Sequence, residues 1–460
     1  MKWLVIIMIL FSDSVMAATM THGPSVGTVT SASARFFART DTGASLDFEY
    51  SVNSNLSSSV ISSPVTTISG SDYTGQSTVT GLTANTTYYY TPRVDTVRAL
   101  SSPYATFKTA PAQGVDSDFS MGFITDFTIS SNGSCASIAS GVFTQLDGDT
   151  PDFVFVGGDL DHRNVASLSQ SRAMHKDNYD ISKVCRVDYV TNILRKYWID
   201  HILSDHDYGV NDSNKTDVNK ANSLQAFNEY FPVTRESTLG LWHKTSYANA
   251  DFWVLDTRSQ RDPNTDTDNT SKSMLDGDAI GALGQLEWLK AGLFNSTARW
   301  NFIITDIPWN PTSKPVDSWG AFTTERNALI EYFRQNNLRK LIFLSADVHF
   351  AAYDNGVNTA FPEMVITHAD NTACNTAGNP YIGQWQLQWG NDSFTNGCWG
   401  YGLIEVKTNP HRVELWNKNE FGNPILAVTI LNERPSTARN IVDRTGSISR
   451  TIVNNRVTVF

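Results

Sequence analysis

Long apolar runs are missing from this chain of 460 residues. The run Leu4 to Phe11 is far below the roughly 20 residues that span a bilayer, and no later segment comes closer, so a transmembrane anchor is excluded. Positive charge is also short, with 35 Lys and Arg against 46 Asp and Glu and a net charge of −11. That balance argues against a nucleic-acid binder, because affinity for polyphosphate comes mainly from Lys and Arg displacing counterions. Cysteine is scarce: Cys135, Cys185, Cys374 and Cys398 are the only four, and none has zinc-ribbon spacing, which argues against a thiolate metal site. There is no internal repeat and no low-complexity tract. The hydrophobic and charged fractions, 40% and 18%, exclude a disordered or fibrous chain. The length is that of two to four domains with full-sized cores.

A basic start, Met1-Lys2-Trp3, leads into the apolar run, and Val15-Met16-Ala17 ends on a small residue. Residues 1–17 therefore read as a secretory signal, and the mature chain is expected to be soluble, monomeric, and secreted or periplasmic. An even number of cysteines in an exported chain suggests disulfides. Of the three pairings, Cys374 with Cys398 and Cys135 with Cys185 are favoured, because each closes a loop within one region.

From Gly23 to Lys108 short stretches alternate apolar with small polar residues, as in Ser33–Ala38 and Ser45–Tyr50. Turn signals separate them, so residues 18–110 are expected to form a small all-β sandwich. Thr109 to Gly114 reads as a linker. Beyond it apolar runs alternate with helical patterns, such as Ile280–Leu293 and Glu325–Gln335. Residues 116–434 are thus expected to form a layered α/β domain, followed by a terminal β extension over 435–460 that packs on it as a hairpin.

Five apolar runs end in an aspartate: Met121–Asp126, Phe153–Asp159, Phe252–Asp256, Phe302–Asp306 and Leu341–Asp347. In sheets of this type the carboxyl ends of buried strands open on a shared crevice. One such aspartate is ordinarily a turn residue or a helix N-cap; five together point to a shared cause. Crowded carboxylates raise one another's pKa and lose hydration, and bound cations resolve that conflict. Histidine stands close by, as His162 after Asp159, His349 after Asp347, and His206 between Asp205 and Asp207. Imidazole with carboxylate is a common ligand set for zinc, iron or manganese. His175, His201, His243 and His368 lack this context and read as structural.

Several blocks taken together resemble the PhoD-type alkaline phosphatases and phosphodiesterases of the calcineurin-like metallophosphoesterases. They are Pro151-Asp152-Phe153-Val154 with Gly158-Asp159; Asp205-His206-Asp207-Tyr208-Gly209 with Asn211; Asp256-Thr257-Arg258-Ser259 with Arg261; Gln285–Leu289; Pro308-Trp309; and Ser345–His349. The resemblance covers roughly residues 120–405, and Gly81–Tyr90 resembles a late strand of fibronectin type III-like modules. It implies a metallophosphoesterase-type β-sandwich flanked by helices, preceded by the small sandwich. It also implies two or more metal ions. By the same resemblance Asp159 would bridge them, Asp126, His162 and His349 would hold one, and Asp205, Asp306 and Asp347 would hold the other. His206 faces the substrate and Asp207 orients its ring.

The chain departs from the family at two positions. A cysteine is common where Asp126 stands and a tyrosine where His162 stands, and both of those favour ferric iron, which carboxylate and imidazole do not select. Iron, manganese or zinc therefore suits the histidine-containing centre, and calcium the all-carboxylate one. The implied chemistry is hydrolysis of a small phosphate mono- or diester by metal-activated hydroxide. Arg258 and Arg261 either grip a phosphate oxygen or hold the Asp256 loop by ion pairs. Trp309, Trp319 and Trp399 either line the cleft or pack a core. Two rival readings are a non-catalytic, calcium-stabilised surface binding protein, which leaves His206 without purpose, and a two-carboxylate glycosidase, which leaves the histidines idle.

Overall fold

The computed structural model describes residues 17–127, 141–277, 284–338, 340–370, 383–389 and 399–431, and the backbone of 439–442, 449–453 and 456–459. Residues 1–16 of the expected leader and three of the four cysteines lie outside these residues; Cys185 lies within them and is buried. Among the described residues no helix is long and apolar enough to cross a membrane.

The first region is all β. Met20–Gly27, Ser33–Thr40 and Thr74–Thr80 form one antiparallel sheet, and a second is built around Ser45–Ser51 and Thr87–Val94. Alternation along these strands sends Phe36, Phe48, Tyr88, Tyr90 and Phe107 into the space between the sheets. Phe36 stacks on Phe48 at 5.1 Å between ring centroids and meets Tyr90 at 4.8 Å. The Tyr88 hydroxyl accepts a hydrogen bond from Thr83 N at 2.9 Å, tying the strand entry to the preceding turn.

The expected linker is not a free tether. Thr109 and Ala110 are buried, Thr109 Oγ1 donates to Thr83 O at 2.6 Å, and Gly114 N donates to Ala248 O at 2.8 Å. Saturated backbone groups and burial hold this stretch between the two regions. The same interface carries the Gln76 amide bonded to the carbonyls of Asn228, Glu229 and Phe231, and the Lys108–Asp152 ion pair.

The second region is a two-sheet sandwich. One sheet has the strand order Ile199–His201, Phe153–Val156, Phe119–Ile124, Gly400–Thr408, His411–Asn419, Pro424–Leu431. The other runs His243–Tyr247, Ala250–Val254, Trp300–Ile304, Leu341–Ser345, Pro362–Val365, Ala351–Asn355, Leu387–Trp389. Strands 119–124, 153–156 and 199–201 are mutually parallel, as are 250–254, 300–304, 341–345 and 362–365. Met121, Phe123, Phe153 and Phe155 face Phe252, Val254, Phe302, Ile304, Ile342 and Leu344 in one core. The alternate residues Ile124, Val154 and Val156 pack outward with Val142, Phe143 and Leu146 of helix Val142–Gly148. Trp253, Ile303 and Phe343 likewise pack on Leu289, Leu293, Leu329 and Phe333. Both faces are covered, which is why these strands read as unbroken apolar runs.

Two helix bounds differ from the sequence reading. Helix Gln285–Asn295 starts after the extended Gly284, with Asp276 Oδ1 accepting from Leu286 N at 2.9 Å; residues 278–283 lie outside the described set. Helix Thr323–Gln335 begins two residues early, because the Asp268 carboxylate accepts from Thr323 Oγ1 at 2.5 Å and Thr324 N at 3.1 Å and caps the first turn. The C-terminal segment forms a three-stranded antiparallel sheet, 439–442, 449–453 and 456–459, rather than a single hairpin.

His175 and His201, read as structural, are buried around Phe231, at ring distances of 4.8 and 4.2 Å, and no ring nitrogen of either has a hydrogen-bond partner. Burial holds both imidazoles neutral, with pKa values pushed down to about 3. Unfolding releases them to the ordinary value near 6.5, so between pH 6.5 and 3 the unfolded chain binds more protons and stability falls as pH falls. The expected contribution is about 1.4 kcal/mol per pH unit for each histidine in that window. Denaturant midpoints across pH should show a shallower acid decline in His175→Gln and His201→Gln, with little change in slope above pH 7.

Candidate active site

The carboxyl ends of the parallel strands in both sheets meet at one edge of the sandwich. Ile124 pairs with Val156, so Asp126 and Asp159 leave adjacent strands side by side; Asp126 N donates to Gly158 O at 3.1 Å and Phe127 N to Asp159 O at 2.7 Å. Gly158 turns at φ +91°, and a Cβ there would lie 2.5 Å from Ser204 N, so only glycine lets the Asp205 loop close over this turn. From the other sheet come Asp256, Asp306 and Asp347. Four non-glycine residues here, Asp126, Asp159, Asp347 and His349, have φ between +51° and +73°. Such backbone costs on the order of 1–3 kcal/mol each and clusters at functional sites.

Asp126, Asp159, His162 and His349 each offer a ligand atom, all within 4.8 Å of one another. His162 Nδ1 sits 3.1 Å from Phe127 O, a bond that fixes the proton on Nδ1 and presents Nε2, 3.8 Å from Asp159 Oδ2. His349 Nε2 lies 3.2 Å from Asp126 Oδ1. Oδ2 of Asp126 and Oδ1 of Asp159 are buried without a hydrogen-bond donor, and Asp126 Oδ1 has only the His349 nitrogen beside it. Burial and then the neighbouring Asp205 and Asp126 push the Asp159 carboxyl well above its usual range. Burial also raises Asp126, but His349 and His162 outweigh it and hold that carboxyl below its usual range. Orphaned anionic oxygens facing aimed imidazole nitrogens fit a metal ion.

Asp205 extends this centre, since Asp159, Asp205 and His206 form a second group of the same compactness and Asp205, Asp212 and Asp317 a third. Among the described residues, neither Asp306 nor Asp347 belongs to such a group. Asp306 accepts from Arg258 Nε at 2.5 Å, Ser204 Oγ at 3.0 Å and Thr257 Oγ1. Asp347 accepts from Arg258 Nη2 at 2.9 Å and Lys314 Nζ at 2.8 Å.

Two catalytic expectations are corrected. Asp207 does not orient the His206 ring: it caps the short helix Asp205–Tyr208, accepting from Leu160 N at 2.8 Å and Ser204 N at 3.3 Å. The ring partner is Asn164, whose Oδ1 lies 2.6 Å from His206 Nδ1, and His206 stands 4.6 Å from His162 between ring centroids. Arg258 is not a phosphate grip, because it is 1% exposed and its guanidinium is spent on Asp205, Asp306, Asp317 and Asp347. Burial lowers the pKa of Arg258 and of Lys314, but the surrounding carboxylates raise both well above the ordinary value, so both cations stay charged. Arg261 is committed likewise, to Asp317 and the carbonyls of Asp212 and Ser213.

Asp256 plays the ordinary turn role, accepting from Arg258 N and Ser259 N at 3.2 and 2.8 Å. Trp309 and Trp319 are core residues, and Trp399 packs at the edge of another core cluster. His368, set aside as structural, lies 5.6 Å from the His349 ring. Asn164 and Lys314 are not singled out by the sequence: the first stands two residues after His162 and the second eight after Asp306, and neither offset says which side chain it meets.

This is the two-sheet fold of the metallophosphoesterases. A structure described as that of PhoD superposes with a TM-score of 0.69, at 17% identity, covering 95% of this chain and 91% of that one. Purple acid phosphatase PPD1 from yellow lupin (Lupinus luteus) seeds gives 0.60 at 13% identity, covering 90% of this chain and 74% of that one. At such identities the likeness establishes the fold. In sequence, residues 195–377 match the PhoD-like phosphatase family and residues 10–111 match its N-terminal domain. The chain belongs to the PhoD-like phosphatases. Alkaline phosphatase D of Bacillus subtilis (strain 168) is 26% identical over 313 residues, 58% of this chain and 52% of that protein, so the matched part spans about half the relative's length.

Removing one partner from a buried ion cluster leaves uncompensated charge, which costs about 3–5 kcal/mol. Arg258→Met is expected to lower unfolding free energy by about that amount, measured by urea denaturation; a loss below about 1 kcal/mol would contradict the compensating role.

Proposed function

We propose that the protein is an exported phosphoric ester hydrolase with two metal ions. The observation that carries this reading is the set of buried, donor-less oxygens on Asp126 and Asp159 facing the aimed nitrogens of His162 and His349. Asp126, Asp159, His162 and His349 would hold one ion of the iron, manganese or zinc kind. Asp159 and Asp205 would hold the other, where oxygen ligands suit calcium or manganese. When bound, such ions supply Lewis acidity and make water acidic enough to act near neutral pH.

The chain's own residues then position and protonate. His206 is partly exposed, with Nδ1–H donating to Asn164 Oδ1, so that Nε2 faces the gap and gives a proton to the departing ester oxygen from the doubly protonated imidazolium, the neutral ring with its proton on Nδ1 having none to give. Asn164 is a positioning residue, locking the ring plane and tautomer. Ser204 and Arg258 brace the opposite wall through Asp306. No protein nucleophile is required. A purely structural calcium protein would have no use for an imidazole held at this gap, and a glycosidase would need neither His162 nor His349.

The leader over 1–17 is the basis for proposing export to the periplasm or medium, with small phosphate mono- or diesters as substrates. Disulfides fit that setting, and Cys185 is disulfide-bonded; we propose Cys135 as its partner. Residues 18–110 and 116–434 would be separate domains, with 435–460 an extension.

Hydrolysis of p-nitrophenyl phosphate and bis-p-nitrophenyl phosphate should be abolished by chelator and restored by added metal. Asp159→Asn should abolish turnover, and retention of most activity would refute the shared-carboxylate role. His206→Ala should lower kcat by about 10²–10⁴-fold with the metal content unchanged; loss of metal would make it a ligand instead. Asn164→Ala should lower kcat more than it raises KM, with Asn164→Asp restoring much of the loss.

A further inference from the structure

The resemblance puts Asp306 and Asp347 on the second ion, yet in this chain their oxygens already face side-chain cations. Lys314 Nζ lies 2.8 and 3.0 Å from the two oxygens of Asp347 and 2.8 Å from Asp317 Oδ2, with Asp212 Oδ1 further off at 3.4 Å. Arg258 reaches Asp306, Asp347 and Asp317 at 2.5, 2.9 and 3.2 Å. The loop carrying Lys314 is built to deliver the ammonium. Lys314 itself takes φ +45°, Asp317 N donates to Lys314 O at 2.9 Å, and Ser318 Oγ donates to Ser313 O at 2.7 Å. The side chain is only 10% exposed.

We propose that Lys314, together with Arg258, is a built-in cation that takes the place of a divalent ion among Asp306, Asp317 and Asp347, so that Asp306 and Asp347 are not metal ligands in this chain. An ammonium is satisfied by three acceptors at hydrogen-bond distance, whereas calcium demands about six to eight oxygens at about 2.3–2.6 Å. The acceptors around Lys314 meet the first requirement. A covalently attached charge also remains when free metal is scarce. Five carboxylates, Asp205, Asp212, Asp306, Asp317 and Asp347, stand against three cations, Arg258, Arg261 and Lys314. The chain thereby confines its metal demand to the Asp126–Asp159–Asp205 side of the cluster.

This inference rests on the proposed function, since it concerns which carboxylates hold that site's ions, but its test reads binding rather than turnover. The full-length protein, Lys314→Met and Asp347→Asn are equilibrated with millimolar calcium, passed over a desalting column and analysed for calcium per chain. Lys314→Met should bind one more calcium ion than the wild type, with a thermal midpoint that is lowered in calcium-free buffer and recovers on adding calcium. Asp347→Asn should bind as many ions as the wild type. No extra calcium in a folded Lys314→Met, or an ion lost from Asp347→Asn, would overturn the proposal; if Lys314→Met does not fold, the Asp347→Asn count decides alone. Either failure would leave chelator-sensitive hydrolysis untouched, so the two readings fail separately.

Discussion

Mutual repulsion among buried carboxylates is the constraint on which the rest of this structure depends. Asp126, Asp159, Asp205, Asp306, Asp317 and Asp347 are all buried at one edge of the sandwich, where neither water nor distance relieves them. The chain answers in two ways. On one side Arg258, Arg261 and Lys314 are threaded between the anions. On the other, Asp126 and Asp159 keep oxygens without donors beside histidines whose nitrogens are already aimed. The first solution is complete within the chain, and the second calls for an ion from outside.

The scaffold supplies the stiffness this arrangement needs. Parallel strands buried on both faces fix the height at which each aspartate leaves its sheet, and four left-handed residues bend the exits inward. Strain of that kind persists only where surrounding packing overdetermines it. The stacked pair Phe153–Trp198 at 4.3 Å and the inter-sheet aromatic layer show how dense that packing is. The β-rich first region adds to the same frame: Phe37 packs on Tyr179 and Tyr230 at 5.0 and 5.9 Å, bracing the helices behind the Asp205 loop.

Much of this was legible before any coordinates. The five apolar runs ending in aspartate are five core strands, because continuous apolar sequence is what two-faced burial selects. The alternating stretches Ser33–Ala38 and Ser45–Tyr50 are strands, because period two is what a half-buried sheet selects. His162 and His349 were visible through their short offsets from strand ends. Other contacts had no local signature. Asp207 reads as a partner for His206 by adjacency, but neighbouring residues on a helix point apart, and its carboxylate turns back to cap the helix. Asn164 reaches His206 across 42 residues and Lys314 reaches Asp347 across 33, separations over which sequence spacing carries no geometric information.

By itself, then, the sequence determined the layered class of fold, the family and the roster of anions and imidazoles, because each of these is written in local periodicity or short motifs. Only the tertiary structure decided which anion meets a side-chain cation and which is left to meet an ion, and that Arg258 is a buried strut. Those outcomes depend on distances between loops of different strands, and such distances are set by the packing of whole sheets.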